Sequence, residues 1–167
     1  PTVLGLALLL GLLQSGGRAG AADEQRFAIR NAFVELAGDS WQLEVSLDLG
    51  LTEAANQALD EGIPLTLRLE AEAHSRRRLL PNEKVAAVGG QWQLEYDALA
   101  SRYVVSDLNH ATRDSYASRD EALAALARPR GLLLADAGQL PPDRRFDVRV
   151  RAVIEVGELP AAVRMLL

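Results

Sequence analysis

The stretch from Thr52 to His74 changes its hydrophobic period halfway along, and each half restricts the fold. Up to Gly62 it reads TEAANQALDEG. Thr52 suits a helix N-cap, Glu53 places an acid in the first turn, Ala54, Ala55, Ala58 and Leu59 form an apolar stripe, and Gly62 suits a left-handed stop. After Ile63-Pro64 the period becomes two. Leu65, Leu67, Leu69, Ala71 and Ala73 point one way, and Thr66, Arg68, Glu70, Glu72 and His74 the other. A short helix therefore stops at a glycine, the chain turns, and a long half-buried strand begins, which the flanking sequence must pair.

Candidate partners lie on both sides. Phe27, Ile29, Phe33, Val34 and Leu36 suggest a first strand with an irregularity near Asn31. Gly38-Asp39-Ser40 is a turn signal, and Trp41, Leu43, Val45, Leu47 and Leu49 then alternate with polar residues, completing a hairpin. Glu83 to Val88 reads as another strand, closed by a hairpin turn at Gly89-Gly90. Trp92, Leu94 and Tyr96 alternate again, Asp97 to Ser101 turns, and Tyr103-Val104-Val105 follows. Asn109 to Ala117 is polar and reads as a loop. Ser118 and Glu121 match a capping box opening a second short helix, ended by Pro129 and Gly131. Leu132 to Leu134 is short and apolar, and Pro141-Pro142 marks a loop. Phe146 to Val156 alternates without a break and is expected to be a central or well-covered strand, its even positions in the core. Gly157 to Pro160 interrupts it, and Ala161 to Leu167 resumes an apolar run.

Separate alternating strands with two short helices and no βαβ rhythm indicate a mainly β domain, an antiparallel β-sandwich, with an α+β open antiparallel sheet as the alternative. The 167 residues suit one domain, and 49% apolar content can fill its core. A net charge of −5 with acids and bases mixed argues against a nucleic-acid surface. The absence of cysteine excludes disulfides, thiolate zinc sites and cysteine nucleophiles. Val3 to Leu13 is an unbroken apolar run, short of the roughly 20 residues of a membrane span. Ala19-Gly20-Ala21 then offers small residues to a signal peptidase. Residues 1–21 are thus expected to be a signal peptide, whose true start lies upstream of Pro1, and residues 22–167 the exported, periplasmic domain; an uncleaved anchor is the competing reading. The mature chain would carry 17 Lys+Arg against 23 Asp+Glu, a net −6.

Several segments occur in a shared order: Leu59 to Leu67 (LDEGIPLTL), Glu83-Lys84-Val85, Leu94 to Leu99 (LEYDAL), Tyr103-Val104-Val105, Asp120 to Leu123, and Glu158-Leu159-Pro160. In this set the chain, from Phe27 onward, resembles the uncharacterised proteobacterial envelope family called domain of unknown function 4390. Members carry an aromatic cluster before the Glu-Lys-Val, where this chain has Arg76 to Asn82. They also continue past the Leu-Pro with a Trp-containing strand, so the domain is expected to extend beyond Leu167. The resemblance implies an exported protein, often encoded beside a membrane sensor kinase. It implies no activity and no catalytic residues.

The residues offer little chemistry of their own. His74 and His110 are the two histidines, and they have no ligand spacing, although the two with Asp107 or Asp114 contain zinc-ligating types. No metal or cofactor is therefore expected. Ser106 or Ser115 with His110 and Asp107 has the composition of a nucleophile triad, which only geometry can make one. Glu70 and Glu72 share a strand face, where they can tune one another or simply meet arginines such as Arg149 and Arg151 on a neighbouring strand. Trp41, Trp92, Tyr96 and Tyr103 read as core. Arg76, Arg77 and Arg78 are the sharpest charge feature and the candidate interaction residues. They suit an acidic partner or an anionic headgroup, or else a charged edge that discourages sheet aggregation; three are fewer than the about four to eight of a lipid-binding cluster. The expectation is a non-enzymatic module binding another envelope protein, such as a sensor kinase. It has no nucleic-acid partner, and membrane contact is confined to the leader or Arg76–Arg78. The alternatives are a small-ligand or lipid carrier using the space between two sheets, and a hydrolase.

Overall fold

A computed structural model describes residues 27–76, 83–141 and 144–157. The strands are β1 (Phe27–Ala37), β2 (Ser40–Leu49), β3 (Leu65–Ser75), β4 (Glu83–Asp97), β5 (Arg102–Asp107), β6 (Thr112–Tyr116), β7 (Leu132–Asp136) and β8 (Phe146–Val156). The helices are α1 (Glu53–Asp60) and α2 (Arg119–Leu126). The domain is mainly β, built of two antiparallel sheets that do not close into a barrel. One has the order β1-β2-β7 and the other β6-β5-β4-β3-β8.

The helix-to-strand switch forms as its residues dictate. Thr52 Oγ1 accepts the Ala55 amide at 3.1 Å and caps α1. Gly62 has φ +79°, and the Gly62 and Ile63 amides donate to the Leu59 and Ala58 carbonyls. These paired backward bonds are a Schellman stop. In β3, Leu65, Leu67, Leu69, Ala71 and Ala73 are all buried, and they line up against the inward residues of β4 and β8 on either side. Leu43, Val45, Leu47 and Leu49 of β2 close the core from the other sheet. β7 touches β4 and β3, while the helices lie against β4, β5 and β6. The small sheet therefore covers one half of the large sheet and the helices cover the other.

Three expectations need correction. Gly89-Gly90 is no turn: β4 runs straight through it, paired with Leu69 and Glu70 of β3. Gly90 is there to make room, because an added Cβ would collide with the Trp92 indole folded over it. Asn109 to Ala117 is only partly loop, since Thr112–Tyr116 pairs with β5 as a polar edge strand. β8 is not central. Among the described residues it is the outermost strand of the large sheet, paired to β3 alone. Its even positions do face inward, and Val150, Ala152 and Ile154 pack against the core, but Val148 and Val156 remain exposed. The expected signal peptide, Arg77, Arg78 and everything from residue 158 onward lie outside the described residues.

Candidate interaction surface

Arg76 leaves the end of β3 where His74 and Ser75 stand opposite Asp147 and Phe146 of β8. Its guanidinium grips the Asp147 carboxylate two-handed, Nε at 2.8 Å from both oxygens and Nη2 at 2.6 Å from Oδ1. That fork-on-carboxylate geometry holds Asp147 below its ordinary carboxylate range and Arg76 above its own. Beside this pair the loop from β7 returns and delivers Arg144 and Arg145 to the same cleft. Both are exposed, and neither makes a salt bridge among the described residues. The floor is apolar, formed by Val85, Pro141 and Phe146, and Glu83 is the one carboxylate among the described lining residues.

Sequence reasoning missed Arg144 and Arg145. Their adjacency was visible, but only the β3–β8 pairing carries them, 68 and 69 positions along, to Arg76. Three described arginines thus meet at one end of a molecule that is acidic as a whole. The charged ladder expected on the outer face is also present. Arg151 stands opposite Glu70 and Arg149 opposite Glu72. Glu72 itself bonds Lys84 at 3.1 Å and His74 at 3.0 Å, and these bonds lower its pKa.

The histidine candidates separate. His74 belongs to this ladder. His110 does meet Asp107, Nδ1 to Oδ2 at 2.9 Å. Burial pushes the Asp107 carboxyl up, but bonds from the His110 ring and from Asn109 outweigh it and the net shift is down. Ser106 and Ser115 do not join them. Asp107 pairs with Trp92 and faces the core side of the sheet, while Ser106 and Ser115 pair with Gln93 and Val104 and face the other side. Asp114 shares the Asp107 side, yet no group of three ligating residues forms among the described residues.

A family model for a domain of unknown function, DUF4390, matches residues 24–167. The chain belongs to this family. No curated protein and no solved structure matches it. The DUF4390 match spans the ordered segments from Leu59 to Pro160, and it assigns no role to the arginine cleft.

Proposed function

We propose that this DUF4390 protein is an exported, non-enzymatic binding module of the bacterial cell envelope that docks another envelope protein, a membrane sensor kinase being the partner the resemblance implies. One observation carries the docking: Arg144 and Arg145, without salt bridges among the described residues, stand beside Arg76 over an apolar floor in a chain of net charge −5. Exposed arginines around apolar surface suit an acidic, partly apolar partner segment. Export is supported by the apolar run Val3 to Leu13 and the small residues Ala19 and Ala21 that follow. The carrier reading needs open space at Leu65, Leu67, Val148 and Val150. Leu65 and Leu67 are fully buried in the main cluster and Val150 packs on it, which favours the docking reading. A serine hydrolase would need a hydroxyl beside His110, and the serines considered for that role lie across the sheet.

The test is capture of partners from an envelope extract by the chain and by its Arg144→Ser/Arg145→Ser variant. A protein retained by the first and lost by the second, at unchanged melting temperature, is the expected result. Equal capture by both, or retention of anionic vesicles in place of a protein, counts against the reading.

A further inference from the structure

A further cleft, which shares no residue with the one at Arg76, opens on the core side of the large sheet, and all its lining residues lie within the continuously described stretch 91–131. One wall is formed by β5 and β6, from which Asp107, Asp114 and Tyr116 line it. The other is the end of α2 with the strap Arg128-Pro129-Arg130 that leads on to β7. Trp92, 5% exposed, completes the lining. The volume is about 460 Å³, within the range of small-molecule sites.

The walls are tied together. α2 packs on β5 and β6. The His110 ring stands 2.9 Å from Asp107 and lies against Gly131, where an added Cβ would come within 3.1 Å of Cε1. Across the gap the charges are opposite in sign. Arg128 and Arg130 stand on the strap and Asp114 on β6, all three exposed, and no salt bridge joins them among the described residues.

This arrangement selects a ligand by charge. A plain anion drawn to the arginines meets Asp114, and a plain cation drawn to Asp114 meets the arginines. A ligand with a carboxylate at one end and an ammonium at the other satisfies both walls. Because Asp114 does not reach the arginines, the two charges of the ligand must also stand apart. A single amino acid carries both on one carbon, whereas a dipeptide separates them. Trp92 and Tyr116 offer aromatic surface to its side chains.

We propose that this cleft binds a free dipeptide with apolar side chains, its carboxylate on Arg128 and Arg130 and its ammonium on Asp114. Docking at the Arg76 cleft neither requires this site nor is required by it.

Leucyl-leucine is the probe, titrated into the whole chain at neutral pH while NMR follows the two indole N–H signals. The expected result is a saturable shift of the Trp92 signal at or below about 1 mM, with the Trp41 signal unmoved. N-acetyl-leucyl-leucine and leucyl-leucine amide, each lacking one charge, should bind roughly fivefold more weakly, the upper worth of a solvent-exposed ion pair. Asp114→Asn should weaken leucyl-leucine by a similar factor and make the acetyl cap harmless. Arg128→Gln/Arg130→Gln should do the same for the amide cap. No saturable shift at about 1 mM overturns the proposal. So does equal binding of either capped form to the unaltered chain, a comparison that needs no variant to fold. Binding that keeps its preference for the free amine in Asp114→Asn also overturns it, because the ammonium is then held elsewhere.

Discussion

Gly62 shows how much one residue decides. At φ +79° it reverses the chain out of α1 and aims β3 into the large sheet between β4 and β8. Gly62→Val is expected to cost about 1 kcal/mol or more in urea unfolding, because a β-branched side chain is disfavoured at positive φ. No heavy atom lies within 4 Å of an added Cβ, so the cost is conformational and Gly62→Asn should recover part of it. Asp107 organises the β5–β6 turn in a comparable way, accepting from the His110 ring and from the Asn109 and His110 amides. Its folded pKa lies below its ordinary value of 3.8. A carboxylate depressed on folding contributes stability above its unfolded pKa, and that contribution is lost as pH falls through the folded value. Asp107→Asn should therefore lower the urea midpoint at pH 7 and flatten its fall below about pH 4. Equal acid slopes in both proteins would show that the turn does not depend on this charge.

At the scale of the element, strict alternation was the most legible signal. β2, β3 and the inward face of β8 follow from it directly, and the capping residues gave both N-caps: Ser118 Oγ accepts the Glu121 amide at 3.3 Å. The returning Glu121 carboxylate takes the Ala117 amide rather than the Ser118 amide expected of a capping box. What the pattern could not show is whether a strand stops. Gly89-Gly90 looks like a turn because glycine marks turns and also marks places where something bulky must fit, and here the bulky group is Trp92. The two glycines should therefore differ. At Gly89 the nearest atom to an added Cβ is the Leu69 carbonyl oxygen at 3.4 Å, and Gly89→Ala should be near neutral. Gly90→Ala must displace an indole that is 5% exposed, and should cost about 1–3 kcal/mol with a changed near-UV circular dichroism signal from Trp92. Equal stability of the two variants would mean that Trp92 swings aside freely.

For the whole molecule the sequence states a period but not a neighbour. Sheet order places β8 outermost among the described strands and brings Arg144 and Arg145 to Arg76, and neither is written in any local pattern. The same holds for the core, which divides into two clusters. The larger one joins β2, β3, β4 and both helices around Leu59, Leu65, Leu67, Leu94 and Leu126. The smaller one gathers Ala73, Leu134, Ala135 and Leu140 at the cleft end, where the Trp41 indole donates to the Leu140 carbonyl at 2.7 Å. Two clusters raise the question of two folding units. Val34 and Val88 pack against both, and β3 runs unbroken from Leu65 in the first to Ala73 in the second. Neither cluster can open without exposing these shared residues, so the chain should unfold in one cooperative step. Each cluster has its own tryptophan, Trp92 in the larger and Trp41 beside the smaller. Single-tryptophan variants, Trp41→Phe and Trp92→Phe, should each show a urea fluorescence transition that coincides with the loss of circular dichroism in the same variant. If Trp41 reports a lower midpoint than the backbone does, the cleft end opens first, and the arginine surface belongs to a separable, less stable part of the domain.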